Sequence, residues 1–281
     1  MIKIGVTGWG DHDILYKERT SSKRKLSIYS TYFPIVELDA SYYSILPTSN
    51  YQKWALQTPN DFSFVIKAYN GITLHSNSFR SKSEQKKMIE SFIHSINPLQ
   101  EAEKIKGILF QFPPWFSCKR ENVDYLRFLK EEVNEYPVML EFRNRTWFYS
   151  QYIDQTLAFM EKEGWIHTIC DEPQAGIGSV PTILHPTNKD VTLIRFHGRN
   201  VYGWNNSGQE NWRKVRFLYR YNQEELEKWA KDILKLQEQT KEICILFNNN
   251  SGGDAADNAI QLMKLLGIQH GPSLSEQLGL F

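Results

Sequence analysis

Eight short runs rich in Ile, Val, Leu and Phe recur along the chain: IKIGVTG, PIVELDA, FSFVIKA, GILFQFP, PVMLEFR, IHTICDE, VTLIRFHG and EICILFNN. Each is bounded by Gly, Pro or polar residues, and amphipathic segments of helical length lie between most of them. The spacing predicts helices over 23–33, 49–57, 83–96 with a serine cap, 122–136, 151–164 ending at a glycine, 222–239 and 254–266. The stretch 173–190, with Gly and several prolines, reads as a loop. Strands that are apolar nearly throughout, alternating with helices, form a parallel sheet covered on its outer face. A doubly wound open sheet alternates in the same way. Eight units, no dinucleotide fingerprint and no break in composition favour closure into an α/β (β/α)8 TIM barrel over 1–270, with 271–281 as a short tail. A length of 281 residues is ordinary for such a barrel.

Composition excludes several classes. No apolar run is long enough to span a bilayer, and MIKIGVTGWG opens directly on a strand-like segment without a basic-then-apolar leader, so a cytoplasmic protein without membrane contact is expected. Cys170 and Cys244 lie inside apolar runs and read as buried, reduced thiols; Cys118 has no CxxC or Cys/His spacing to support a metal. The net charge is +1, so any affinity for nucleic acid must come from local charge placement.

The polar residues at the strand ends are the functional signal. Glu37 and Asp39, Lys67, Gln111, Glu141 and Arg143, Asp171, then Arg195, His197 and Arg199, and finally Asn248 and Asn250 follow the eight-run pattern at alternating positions. Barrel active sites lie at the C-terminal ends of the strands. For any single residue a strand-end salt bridge is an equal reading, most clearly for Glu141 with Arg143. Two carboxylates from the fourth and seventh strands, as many barrel glycosidases use, are absent, because those ends carry Gln111 and His197. No elbow motif supports a nucleophile triad. The sequence leaves a divalent ion such as Mg²⁺ or Mn²⁺ open on Glu37, Asp39, Glu141 or Asp171. Lys67 reads as a Schiff-base lysine, a phosphate anchor or, most simply, an ion-pair partner.

Arginines and aromatics accumulate near the same rim: Arg143, Arg145, Arg195, Arg199, Arg213, Arg216 and Arg220 with Trp9, Trp147, Trp204, Trp212, Tyr219 and Tyr221. Guanidinium forks hold phosphates and aromatic faces stack on bases or sugars, whereas surface ion pairs and rim packing explain the same residues equally well. The loop Asn248–Asp254, NNNSGGD, offers backbone N–H groups to an anion or is an ordinary turn with Asp254 as helix cap.

The motifs G-V-T-G-W, V-E-L-D-A-S-Y-Y, W-x(3)-T-P-x-x-F-x-F-x-x-K, L-F-Q-F-P-P, L-E-F-R-x-x-x-W, I-C-D-E-P, R-F-H-G-R-N and F-N-N-N-x-x-G-x-A-A-x-N-A occur in that order. Together they resemble the YecE-like family, domain of unknown function 72, from Gly5 to Asn258. The resemblance implies a TIM barrel and no established reaction. It marks Glu37, Tyr43, Lys67, Gln111, Glu141, Arg143, Trp147, Asp171, Arg195, His197, Arg199 and Asn248. Asp39 and Ser41 depart from the Asn and Thr of many members, which weakens any role given to that pair.

The chain ends in Gln277-Leu278-Gly279-Leu280-Phe281, similar to the short peptide by which bacterial proteins bind the replicative sliding clamp. Such a peptide seats Leu and a terminal Leu-Phe pair in apolar pockets; packing of the tail on the barrel is the other reading. Three functions stay open. The first is a nucleic-acid or phosphodiester-processing hydrolase of DNA replication or repair. There Arg143, Arg195 and Arg199 clamp phosphate with Gln111, Asn248, Tyr43 and Trp147 around the substrate; His197 is acid or base; and Glu37, Glu141, Asp171 or Lys67 completes the chemistry. The second is a barrel enzyme for a small sugar or phosphorylated metabolite. The third is a non-catalytic DNA-maintenance adaptor.

Overall fold

The computed structural model describes residues 1–76, 81–205 and 215–270. Trp212, Arg213 and the terminal Gln277, Leu278, Leu280 and Phe281 lie outside the described residues. Eight parallel strands close in chain order: β1 (Ile2–Thr7), β2 (Ile35–Leu38), β3 (Ser63–Lys67), β4 (Ile105–Gln111), β5 (Val138–Glu141), β6 (Trp165–Asp171), β7 (Val191–Phe196) and β8 (Glu242–Phe247). β1 pairs with both β2 and β8, so the sheet has no free edge. The helices are α1 (Ser22–Tyr32), α2 (Ala40–Tyr43), α3 (Thr48–Leu56), α4 (Lys82–Glu101), α5 (Arg120–Glu132), α6 (Ile153–Glu163), α7 (Val201–Asn205), α8 (Gln223–Leu236) and α9 (Asp254–Leu265).

Each strand has two apolar faces, which is why the runs are nearly continuous. One face packs outward on the helices, as Ile4, Val6, Phe64, Phe110, Phe196 and Phe247 do. The other forms a separate inner cluster of Ile35, Val65, Leu109, Met139, Ile166, Leu193, Cys244 and Leu246. Full burial of each Leu, Ile or Met stabilises by roughly 1.5–3 kcal/mol. Below that layer, at the strand starts, Glu242 takes Lys106 at 3.0 Å and Lys3 at 3.9 Å. Gly5 is required where β1 meets β2: a Cβ there would lie 1.9 Å from the Ile35 carbonyl oxygen. Tyr29 of α1 locks the same junction, its hydroxyl donating to Ile35 O and accepting from Val6 N, each at 2.9 Å.

Helix ends follow local chemistry. α4 starts with a capping box of Ser81 and Glu84, upstream of the expected serine, and continues through Pro98. α6 stops at Gly164, left-handed at φ 71°. α8 opens on an Asn222–Glu225 capping box and buries Leu226, Trp229, Ala230, Ile233 and Leu236 at helical spacing. The 173–190 segment has neither helix nor strand, as its glycines and prolines imply. The short helices α2 and α7, directly after β2 and β7, have no apolar periodicity long enough to announce them. Among the described residues no helix is long and apolar enough to cross a membrane.

Candidate functional site

The inner apolar layer decides which polar residues converge. Glu37, Lys67, Gln111, Glu141, Arg195 and Asn248 each follow an inner-layer residue by two positions and share its inward face. Register agrees: Gln111 stands beside Glu141, and Cys170 beside Arg195.

There they form one ion-pair network. Arg195 donates to both oxygens of Glu37, at 2.9 Å from Nε and 2.5 Å from NH2, and to Glu141 at 2.6 Å from NH1. Arg143 places Nε 2.8 Å from the other oxygen of Glu141 and pairs through NH1 with Glu172. His197 completes the contact, its Nε2 3.0 Å from NH2 of Arg143 and its Nδ1 3.0 Å from the Asn248 amide. Glu37, Glu141, Arg195 and His197 are 0% exposed. The charged residues converge as the sequence implied, but in a dry cluster of closed pairs instead of an open hollow.

Protonation states follow from this packing. Burial alone would raise the Glu141 pKa, but Arg195 and Arg143 outweigh it and hold the carboxyl well below its ordinary range. Glu37 moves the other way, because burial exceeds the pull of Arg195. Glu172 is raised to about 7 by burial, against the pull of Arg143. Burial, then Arg143 and Arg195, depress His197 well below its usual value, so its ring is neutral. The Asn248 amide nitrogen donates to Nδ1, and Nε2, beside Arg143, also stands 3.4 Å from Oε1 of Glu141.

Several expected members lie elsewhere. Asp171 is on the opposite face of β6: its oxygens take Arg199 at 2.8 and 2.7 Å and the indole of Trp229 on α8 at 2.5 Å. Glu172, one residue on, points inward in its place. Arg199 also donates to Glu225 at 2.9 Å and joins this outer cluster. Trp147 is core, stacked on Phe142 at 4.0 Å with its Nε1 donating to Phe116 O at 2.7 Å. The NNNSGGD loop makes no anion cradle. Gly253 turns the chain at φ 81°, and the first turn of α9 carries Asp254 and Asp257, both paired with Arg220. The phosphate-clamp arrangement therefore does not form, since Arg143, Arg195 and Arg199 are each held by two carboxylates.

Solvent reaches the strand ends on the β1–β4 side. A cleft of about 190 Å³ is lined by Gly8, Trp9, Leu38, Asp39 and Ala40. Asp39 bridges to Lys67 at 3.2 Å, and the Lys67 ammonium lies 4.5 Å from the centre of the Tyr42 ring. Gln111 is half-buried on the neighbouring strand. Tyr42 contacts His75 edge-on at 5.1 Å, and His75 contacts Trp115 at 6.1 Å. Burial, with Lys67 and Arg143 adding to it, lowers His75 to about 4. Tyr43 is 64% exposed, with its ring 5.1 Å from Tyr42. On the far side Trp204 covers the network, between the guanidinium of Arg143 at 5.1 Å and that of Arg216 at 4.1 Å.

Sequence reasoning passes over Glu172 and names Trp204 only among the rim aromatics. Counting by two from Thr168 and Cys170, instead of stopping at the first acidic residue, finds Glu172. Nothing local marks Trp204 as a cover.

The donor set is poor for a metal ion. Among the described residues, Glu141, Cys170 and His197 bring one ligand atom each within 4.8 Å of one another. Glu141, however, already bridges two guanidinium groups, and burial pushes the Cys170 thiol well above its usual pKa. A divalent cation there would face Arg143 and Arg195 directly.

Comparison with known proteins adds the following. Residues 3–278 match the profile of the family described as protein of unknown function DUF72. The chain is 53% identical over 282 residues to the UPF0759 protein YunF of Bacillus subtilis (strain 168), covering 100% of each. A DUF72 family protein of Enterococcus faecalis V583 superposes with TM-score 0.89 at 37% identity, over 97% of this chain and 99% of that one. One from Thermotoga maritima MSB8 gives 0.81 at 31% identity, over 95% and 99%. A D-psicose 3-epimerase crystallised in the presence of D-fructose reaches 0.50 at 9% identity, over 94% and 99%, and shares the fold alone.

Proposed function

The chain belongs to the DUF72 family, and from there we propose that it is a barrel enzyme for a small, uncharged, hydroxyl-rich metabolite of the sugar class, held over the strand ends by Asp39, Lys67 and Gln111. The observation that carries this reading is charge balance. Four carboxylates, Glu37, Asp39, Glu141 and Glu172, stand against four cations, Lys67, Arg143, Arg195 and Arg216. A phosphate entering such a site must displace a carboxylate from its guanidinium. A neutral hydroxyl, which donates and accepts at once, bridges Asp39 and Lys67 without that penalty. Aromatic faces at Trp9 and Tyr42 suit the apolar side of a sugar ring.

This choice sets aside the phosphodiester reading, whose clamps are engaged, and takes nothing from the epimerase beyond its barrel. Calorimetric titration with neutral sugars and polyols, their phosphates and a single-stranded oligonucleotide tests it. A neutral sugar should bind, and Asp39→Asn or Lys67→Met should weaken it by roughly ten- to a hundredfold, the worth of a hydrogen bond to a charged group. Preference for the phosphorylated form, or salt-sensitive oligonucleotide binding, would return the function to phosphate chemistry.

A further inference from the structure

We propose that Glu172 is a proton-operated latch: its carboxylate ties the segment 173–181 across the strand ends and holds Arg143 in place, and protonation releases one of these ties. The residue is 3% exposed, its side chain 0%, and both carboxylate oxygens are used. Oε1 accepts from the backbone N–H of Val180 at 2.6 Å, and Oε2 accepts from NH1 of Arg143. Other bonds also hold the segment: Arg145 NH2 donates to the Gln174 side chain at 2.7 Å and Ala175 N to Ser179 Oγ at 3.0 Å. The side chain of Gln174 donates to Val180 O at 3.0 Å, and Arg145 N donates to Ile177 O at 2.9 Å. Its far side meets the cover over the network, where Trp204 Nε1 donates to Gly178 O at 3.4 Å.

The chemistry of the partners makes this arrangement switchable. An amide N–H and a guanidinium can only donate. An ionised carboxylate satisfies both; a protonated one presents an O–H to one of them and must let it go. Arg143 also contacts His197 and Glu141, so the proton on Glu172 is felt at the centre of the network. The groups facing Glu172 are Arg143 and Glu141 from the end of β5, Cys170 from β6, Arg216 from 215–217, and Val180 N–H from its own connection. Burial pushes the carboxyl up to about 7, with Arg143, Val180 and Arg216 drawing it down and Glu141 adding to the rise. Above neutrality the carboxylate holds both partners, and below it one of them. Its consequence for ligand entry rests on the reading of the strand ends as a binding site; the latch itself does not.

The test uses the full chain without ligand, so its failure is separate from failure of the sugar reading, which calorimetry judges. The Glu172 side-chain carboxyl carbon and the Val180 amide proton are followed by NMR from about pH 5.5 to 8.5. Both should titrate with one midpoint near neutrality, the amide proton moving upfield as its hydrogen bond weakens at low pH. Glu172→Gln presents an NH2 to one of the same donors and should abolish the titration of the Val180 amide. A Glu172 carboxyl that titrates like an ordinary glutamate overturns the proposal, as does a Val180 amide flat through the Glu172 transition. The wild-type titration decides alone if the Gln variant does not fold.

Discussion

Arg195 is the residue on which the interior depends most. It neutralises two fully buried carboxylates from different strands, so Arg195→Met leaves Glu37 and Glu141 facing each other without their shared cation. Loss of one partner of a buried pair costs about 3–5 kcal/mol, and urea unfolding should show a decrease of that order. An exposed pair behaves differently. Arg220 is more than half exposed, and Arg220→Ala should change stability by less than about 1 kcal/mol. The interior also shapes the dependence on pH. Glu172 keeps its proton up to about 7 in the folded chain, whereas an unfolded glutamate releases it near 4.3. The folded state binds the extra proton between those values, so this group's contribution falls as pH rises through that window. Glu172→Gln should therefore gain on the wild type between about pH 4.5 and 7, read from urea midpoints at both ends. His197 works in the opposite direction. Its folded pKa is depressed, so the unfolded chain protonates first and stability falls as pH drops below about 6.5.

β6 shows how one strand divides its work between two surfaces. Asp171 faces α8 and holds Arg199 and Trp229, while Glu172 enters the barrel and holds Arg143. Asp171→Asn should disturb the outer cluster, visible as a shift in Trp229 emission, and leave sugar binding unchanged. A loss of binding comparable to that of Asp39→Asn would place Asp171 in the site after all. Helix starts follow local chemistry, although the sequence places the start of α4 at Ser83, downstream of its cap. The box formed by Ser81 and Glu84 needs only four consecutive residues, and Ser81→Ala should cost about 1 kcal/mol in thermal unfolding. The run of α4 past Pro98 was not legible, since helix packing against the barrel overrides the missing N–H.

Closure of the barrel brings the eight strand ends to one rim, and the family profile extends over 3–278. The tail reading stands apart, on sequence only, because 277–281 lies outside the described residues. A pull-down with purified bacterial sliding clamp should retain the wild-type protein and lose the Leu280→Ala, Phe281→Ala variant; equal retention, or none, disposes of it. Periodicity determined the eight strands and most of the helices, because those signals repeat within a few residues of one another, while the count of units and the family resemblance favoured the barrel. It also named most of the polar strand ends. What it left undecided is which guanidinium meets which carboxylate. Arg195 and Glu37 are 158 residues apart in the chain, and only ring closure makes them neighbours at 2.9 Å. Whether those arginines await a phosphate or are already neutralised is a property of that closure.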